Sequence, residues 1–100
     1  MYGLMNFRSR ALLDLAHHLP CQWCGKGESS EPAHSNQSKH GKGLSLKSHD
    51  CYFAALCHEC HSEIDQGSKL SRAERIERWE TAFSRTVLEI WRRGWVKVNR

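Results

Sequence analysis

Apolar side chains at Ile76, Trp79, Phe83, Val87, Ile90 and Trp91 recur at steps of three and four residues. That spacing predicts one long amphipathic helix over about 71–93. Ser71-Arg72-Ala73-Glu74 fits a capping box, with Ser71 as N-cap and Glu74 three residues on, and Gly94 ends the helix. Leu12, Leu13, Leu15 and Ala16 give a shorter apolar side to a helix predicted over Asn6–His18, which Pro20 terminates. Cys21 to Pro32 is turn-rich, with Gly25 and Gly27. Pro32–Asn36 and the aromatic run Cys51–Leu56 suit two short strands. Between them, Ser38–Ser48 is a basic, glycine-containing surface loop. A helix starting near Cys57 or Glu59 runs to about Gln66, with Gly67 as its stop, and Trp95, Val96 and Val98 predict a small extended tail.

These elements describe a single α+β domain over residues 1–100, with a core at about 21–67 and no repeat, linker or second domain. One hundred residues with 39% hydrophobic and 26% charged side chains is a globular composition with a thin core, which a bound metal would reinforce. Fifteen Lys and Arg against eleven acids leave a net charge of +4, a mild bias towards an anionic partner such as nucleic acid. The first residues carry no signal-peptide pattern and no apolar run is long enough for a membrane span. The expected compartment is therefore a reducing cytoplasm, where five cysteines serve as ligands more often than as disulfides.

Cys21-Gln22-Trp23-Cys24 and Cys57-His58-Glu59-Cys60 are two C-x-x-C pairs. Two intervening residues let a tight turn bring both sulfurs to one ion, and two such knuckles supply the closed tetrahedral set of a structural zinc. Thiolates favour zinc over magnesium or calcium. Redox cysteines or unliganded core cysteines are the alternatives. Cys51 lies outside both knuckles and is expected to be buried on its strand.

Seven histidines leave several to explain. His17 and His18 suit a helix C-terminus, and His58 lies at the surface of a knuckle. His61 follows the second knuckle and Asp65 stands four residues on, so a helix places both on one face. Such a pair can share a divalent ion, or form an ordinary polar pair. His34 can take a proton from water, or make a structural hydrogen bond. Asp50 can orient its imidazole, or cap a turn. Lys39, His40, Lys42 and Lys47 can meet phosphates while Gly41 and Gly43 let backbone approach, or the loop is a solvated surface. His40 and His49 are also open as metal ligands.

C-x-x-C, then Ala33-His34, a glycine-containing loop and C-x-x-C-His61 resembles the zinc-knuckle branch of the HNH (ββα-metal) endonucleases. Ala33–Asn36, Leu56–His61 and Ile64–Gly67 look more specifically like the small phage and prophage nucleases of the YbcO-like family, and more distantly like the phage recombination-enhancement nuclease. The likeness covers about Leu12 to Val98. It implies two strands, an Ω-like loop and a helix around one catalytic divalent ion such as Mg²⁺, with His34 as general base and His61 as metal ligand. Asp50 is the nearest candidate for the residue that orients the base, with Asn36 second. Many members carry Asp before the base histidine; Ala33 stands there, and Asp65 is the proposed replacement.

The expectation is thus a metal-dependent DNA endonuclease of low sequence specificity, in phage or prophage DNA processing or recombination, with recombination proteins as possible partners. The alternative is a non-catalytic zinc-ribbon module that binds DNA or protein. Trp79, Phe83, Ile90 and Trp91 are expected to pack on the zinc-knuckle core, with a homodimer surface as the other use.

Overall fold

A computed structural model describes residues 6–27 and 29–99. The architecture is α+β. Helix α1 (Arg10–Asp14) continues into a 3-10 turn (Leu15–His18); strands β1 (Glu31–His34) and β2 (Phe53–Leu56) follow, then helices α2 (His58–Asp65) and α3 (Arg72–Arg92). The first helix is shorter than the sequence pattern suggests. Ser9 caps it by accepting from the Leu12 amide, and Asn6–Ser9 lie outside it. No strand forms over Trp95–Val98, and Cys51 is exposed ahead of β2 rather than buried within it.

β1 and β2 form a two-stranded antiparallel ribbon in which Glu31 faces Leu56, Pro32 faces Ala55, Ala33 faces Ala54 and His34 faces Phe53. The backbone N–H of Ala55 is met by Thr86 Oγ1 at 2.9 Å, and its carbonyl accepts from Gln22 at 2.8 Å. Both groups therefore point away from β1, which makes Pro32–Ala55 a non-hydrogen-bonded pair. That register explains a proline inside a strand: the N–H it lacks would have faced the open edge of β1. α3 covers the other edge.

Alternation along the strands divides the core. Ala33, Ala54 and Leu56 pack with Cys21, Ile64, Trp79 and Ala82 on the side of α2 and α3. Phe53 and Ala55 pack with Ala16, Leu19 and Ile90 on the other side. The α3 stripe is Trp79, Ala82, Thr86 and Ile90, with Phe83 partly buried and stacked on Trp79 at 5.0 Å. Trp91 is half exposed instead of anchoring the core. The predicted capping box is present, with Glu74 N–H donating to Ser71 Oγ and Ser71 N–H to Glu74 Oε1. At the far end Gly94 takes φ +72°, Gly94 N–H donates to Trp91 O and Trp95 N–H to Ile90 O. These two bonds are a Schellman cap, whose left-handed residue favours glycine.

Candidate functional site

Cys21 and Cys24 stand on the turn after α1, Cys57 and Cys60 at the start of α2. Their Sγ atoms all lie within 4.8 Å of one another. Cys24 Sγ and Cys57 Sγ are 3.8 Å apart, the edge of a tetrahedron with bonds of about 2.3 Å. The donor set and its spacing fit one structural zinc ion. Burial pushes the Cys21 thiol up, but amides of Cys24, Cys57 and Trp23 outweigh it and bring it down to about 7. Burial pushes the Cys57 and Cys60 thiols up. Among the described residues no other group of three or more His, Cys, Asp or Glu converges in this way.

The cluster sets where α2 begins, and α2 carries His61 into a second group. His61 Nδ1 lies 2.7 Å from Glu31 Oε1, and His61 Nε2 lies 3.0 Å from Asp65 Oδ2. The other Asp65 oxygen accepts from Asn36 Nδ2 at 2.9 Å. Hydrogen bonding to Asp65, then to Glu31, raises the His61 pKa against burial, while burial fails to offset the pull of His61 and Asn36 on Asp65. As the structure stands, both ring nitrogens donate to carboxylates; were the Nε2 proton displaced by a metal ion, the Nδ1–H bond to Glu31 would keep the ring oriented, as in metal-bound histidines. Two ligand atoms 3.0 Å apart fit adjacent positions around a small divalent ion bonded at about 2.1 Å. The pair is hydrogen-bonded here, and the same spacing would let the two atoms share a divalent ion if one displaced the intervening proton. Glu31 carried no signal in the sequence beyond its parity: it shares a strand face with Ala33, towards α2.

His34 belongs to a different group. Its Nε2 lies 2.8 Å from Asp50 Oδ1, and Asp50 is 4% exposed. Asp50 also accepts from Arg8 Nη1 at 3.2 Å and from the Ser9 amide at 2.7 Å. Burial raises the Asp50 pKa, yet hydrogen bonds from His34 and Ser9 and the Arg8 charge hold it below the ordinary carboxylate value. With Nε2 committed to Asp50, Nδ1 is the nitrogen available to take a proton. Strand alternation puts His34 on the Phe53 side and Glu31 on the α2 side, so no hydrogen bond joins His34 to His61. The two groups are linked through the chain, because Asn36, two residues past His34, reaches Asp65.

The loop between the strands is braced by the segment ahead of α1. Asn6 Nδ2 donates to the carbonyls of Gly41 and Lys47, and Phe7 N–H donates to His49 Nδ1. Arg8 reaches the carbonyls of Lys47 and Ser48. Gly41 has φ +93°, and a Cβ there would meet the His49 ring at 2.8 Å, so a side chain does not fit. His40 is turned into the protein: Nδ1 is 2.6 Å from Ser35 Oγ, the ring stacks on Tyr52 at 4.3 Å, and burial lowers its pKa. Lys39 pairs with Glu80 of α3 at 3.2 Å, and Lys47 is exposed. Arg8 was the second functional residue that periodicity missed, since its partners lie some forty positions away.

Compared with protein-family models, with curated proteins and with solved structures, the chain finds no match. No described helix is long and apolar enough to cross a membrane.

Proposed function

We propose that this chain is a metal-dependent endonuclease of the HNH type that hydrolyses DNA phosphodiester bonds with low sequence specificity. One observation carries the reading: His61, paired with Glu31 of β1 at 2.7 Å, faces Asp65 at 3.0 Å, and His34 with its Asp50 partner stands on that same strand. A bare zinc module needs the four cysteines and neither of these groups. A divalent ion held by His61 and Asp65 would supply positive charge against the phosphoryl group and leaving oxygen. Asp50 holds the His34 ring in one orientation, and since His34 and His61 lie on opposite faces of the ribbon, a phosphate served by both would have to lie across the end of β1, where Nδ1 would take the proton of an attacking water. Asn36 keeps the Asp65 carboxylate in place. Lys42 and Lys47 neutralise flanking phosphates, which makes binding salt-sensitive.

The test is nicking of supercoiled plasmid with Mg²⁺ or Mn²⁺ by the wild type, His34→Ala and His61→Ala. Loss of a general base lowers rates by about 10²–10⁴-fold, and His61→Ala, which removes an ion ligand, is expected to abolish nicking at the Mg²⁺ or Mn²⁺ concentration that supports the wild type. Equal nicking by all three proteins rejects this centre. A second reading, a non-catalytic zinc-ribbon module that binds DNA, draws on the separation of His34 from His61 across the ribbon and on Ala33, which brings no ligand. Salt-sensitive DNA binding with no nicking by any of the three favours it.

A further inference from the structure

Beside the His61–Asp65 pair the surface opens into a cavity of about 470 Å³, between the end of α2, the 67–70 turn and the first turns of α3. Its volume falls among small-ligand pockets, about 300–1,000 Å³. Ile64, Leu70, Ile76 and Trp79 provide an apolar lining. The amides of Asn36 and Gln37 border it on the β1 side, and Arg72 and Arg75 border it on the α3 side. Arg75 donates to the carbonyls of Gly67 and Leu70, which pins the turn against α3 as a wall. Arg72 is exposed. Asp65 and Asn36, hydrogen-bonded to each other, belong both to this cavity and to the candidate ion site. An occupant of the cavity is thus continuous with whatever lies against His61.

We propose that this cavity receives an unstacked base of the DNA strand whose phosphate lies against His61 and Asp65, so that the substrate class is DNA with an unpaired nucleotide at the cut. The proposal rests on the nuclease reading of that pair. An apolar lining suits the face of a base rather than a phosphate. Asn36 and Gln37 each donate one amide N–H to a carboxylate, Asp65 and Glu80, which leaves a second N–H and a carbonyl oxygen on each for the edge of a base. Arg72 stands where the next phosphate of the same strand would leave the cavity. A base paired within a duplex cannot enter, because it must first leave the stack.

The experiment uses the full chain with its zinc in place and no added divalent ion, so that binding is read without cleavage. Anisotropy of a labelled short oligonucleotide is compared between its single-stranded and fully paired forms. The single strand is expected to bind about tenfold or more tightly, the scale of one stacked base. Leu70→Trp, on the turn, and Ile76→Trp, on α3, fill the cavity from two sides. Either variant, checked for folding by circular dichroism, is expected to lose that preference while keeping duplex binding. Equal affinity of wild type for the two forms overturns the proposal, as does a preference unchanged in both folded variants. Plasmid nicking by the same preparations reports separately on the nuclease reading. Nicking without the strand preference rejects the cavity assignment alone; the preference without nicking rejects the catalytic reading and leaves the base site.

Discussion

Asp50 ties the segment ahead of α1 to the end of β1 through one carboxylate. It sits at 4% exposure with His34, Arg8 and the Ser9 amide around one carboxylate. Removing its charge leaves those donors facing a weaker acceptor, and hydrogen bonds to charged groups contribute about 1.5–3 kcal/mol. Asp50→Asn is therefore expected to lose stability of that order in urea titrations at pH 7. A carboxylate whose folded pKa is depressed contributes fully above its unfolded pKa, about 3.9, and loses that contribution only as pH falls through the lower folded value. The gap between wild type and Asp50→Asn should not shrink between pH 8 and pH 5. His34 and Arg8 are the side chains that face it. A gap that closes in this range would show that the folded carboxylate titrates at a raised value, not a depressed one. Glu31 makes a separate prediction. It hydrogen-bonds His61 Nδ1; if the proposed ion site holds, Glu31→Gln is expected to weaken Mn²⁺ binding about 10–100-fold, read by calorimetry on zinc-loaded protein. Unchanged affinity would assign Glu31 to surface pairing with His58 and His61 alone.

At the scale of elements, α3 works through its contacts with the strands as much as through its apolar stripe. Trp79 Nε1 donates to the Ala33 carbonyl at 2.9 Å, just before His34, and Thr86 Oγ1 accepts from Ala55 N–H while donating to Ala82 O. The 3.6-residue pattern identified the helix, its cap and its end, but not Thr86, because a threonine in an apolar stripe carries no periodic signal. Its role arises only once β2 lies alongside. Thr86→Val keeps the shape and leaves the Ala55 amide buried without a partner, a cost of about 1–3 kcal/mol. Thermal denaturation checks it; a variant as stable as wild type would mean that the edge of β2 finds another acceptor. The first helix was over-extended from sequence for a related reason. Asn6–Ser9 read as helical by composition, yet their side chains and amides bond to the 41–50 loop, and those non-local bonds outcompete one more helical turn.

At the scale of the whole molecule, the two halves of the core meet on a ribbon of only two strands, too little to stand alone. The cysteine cluster joins the turn ahead of β1 to the start of α2, while α3 is held to the strands by Thr86 and Trp79. Binding free energy at such a site is folding free energy. Full removal of zinc by a chelator under reducing conditions is expected to abolish most of the helical circular dichroism signal, with recovery on adding zinc back. A spectrum unchanged without metal would reduce the cysteines to a packing role.

Local sequence was sufficient for the two C-x-x-C knuckles, the capped long helix, the order of strands and helices, and the His61–Asp65 pair, because each depends on residues within a turn or two of one another. Which face of β1 each side chain takes, and therefore that Glu31 serves His61 while Asp50 serves His34, followed only from strand register. That register is set by packing against α3 and by the brace from Asn6–Ser9, contacts between residues tens of positions apart whose pairing no local spacing encodes.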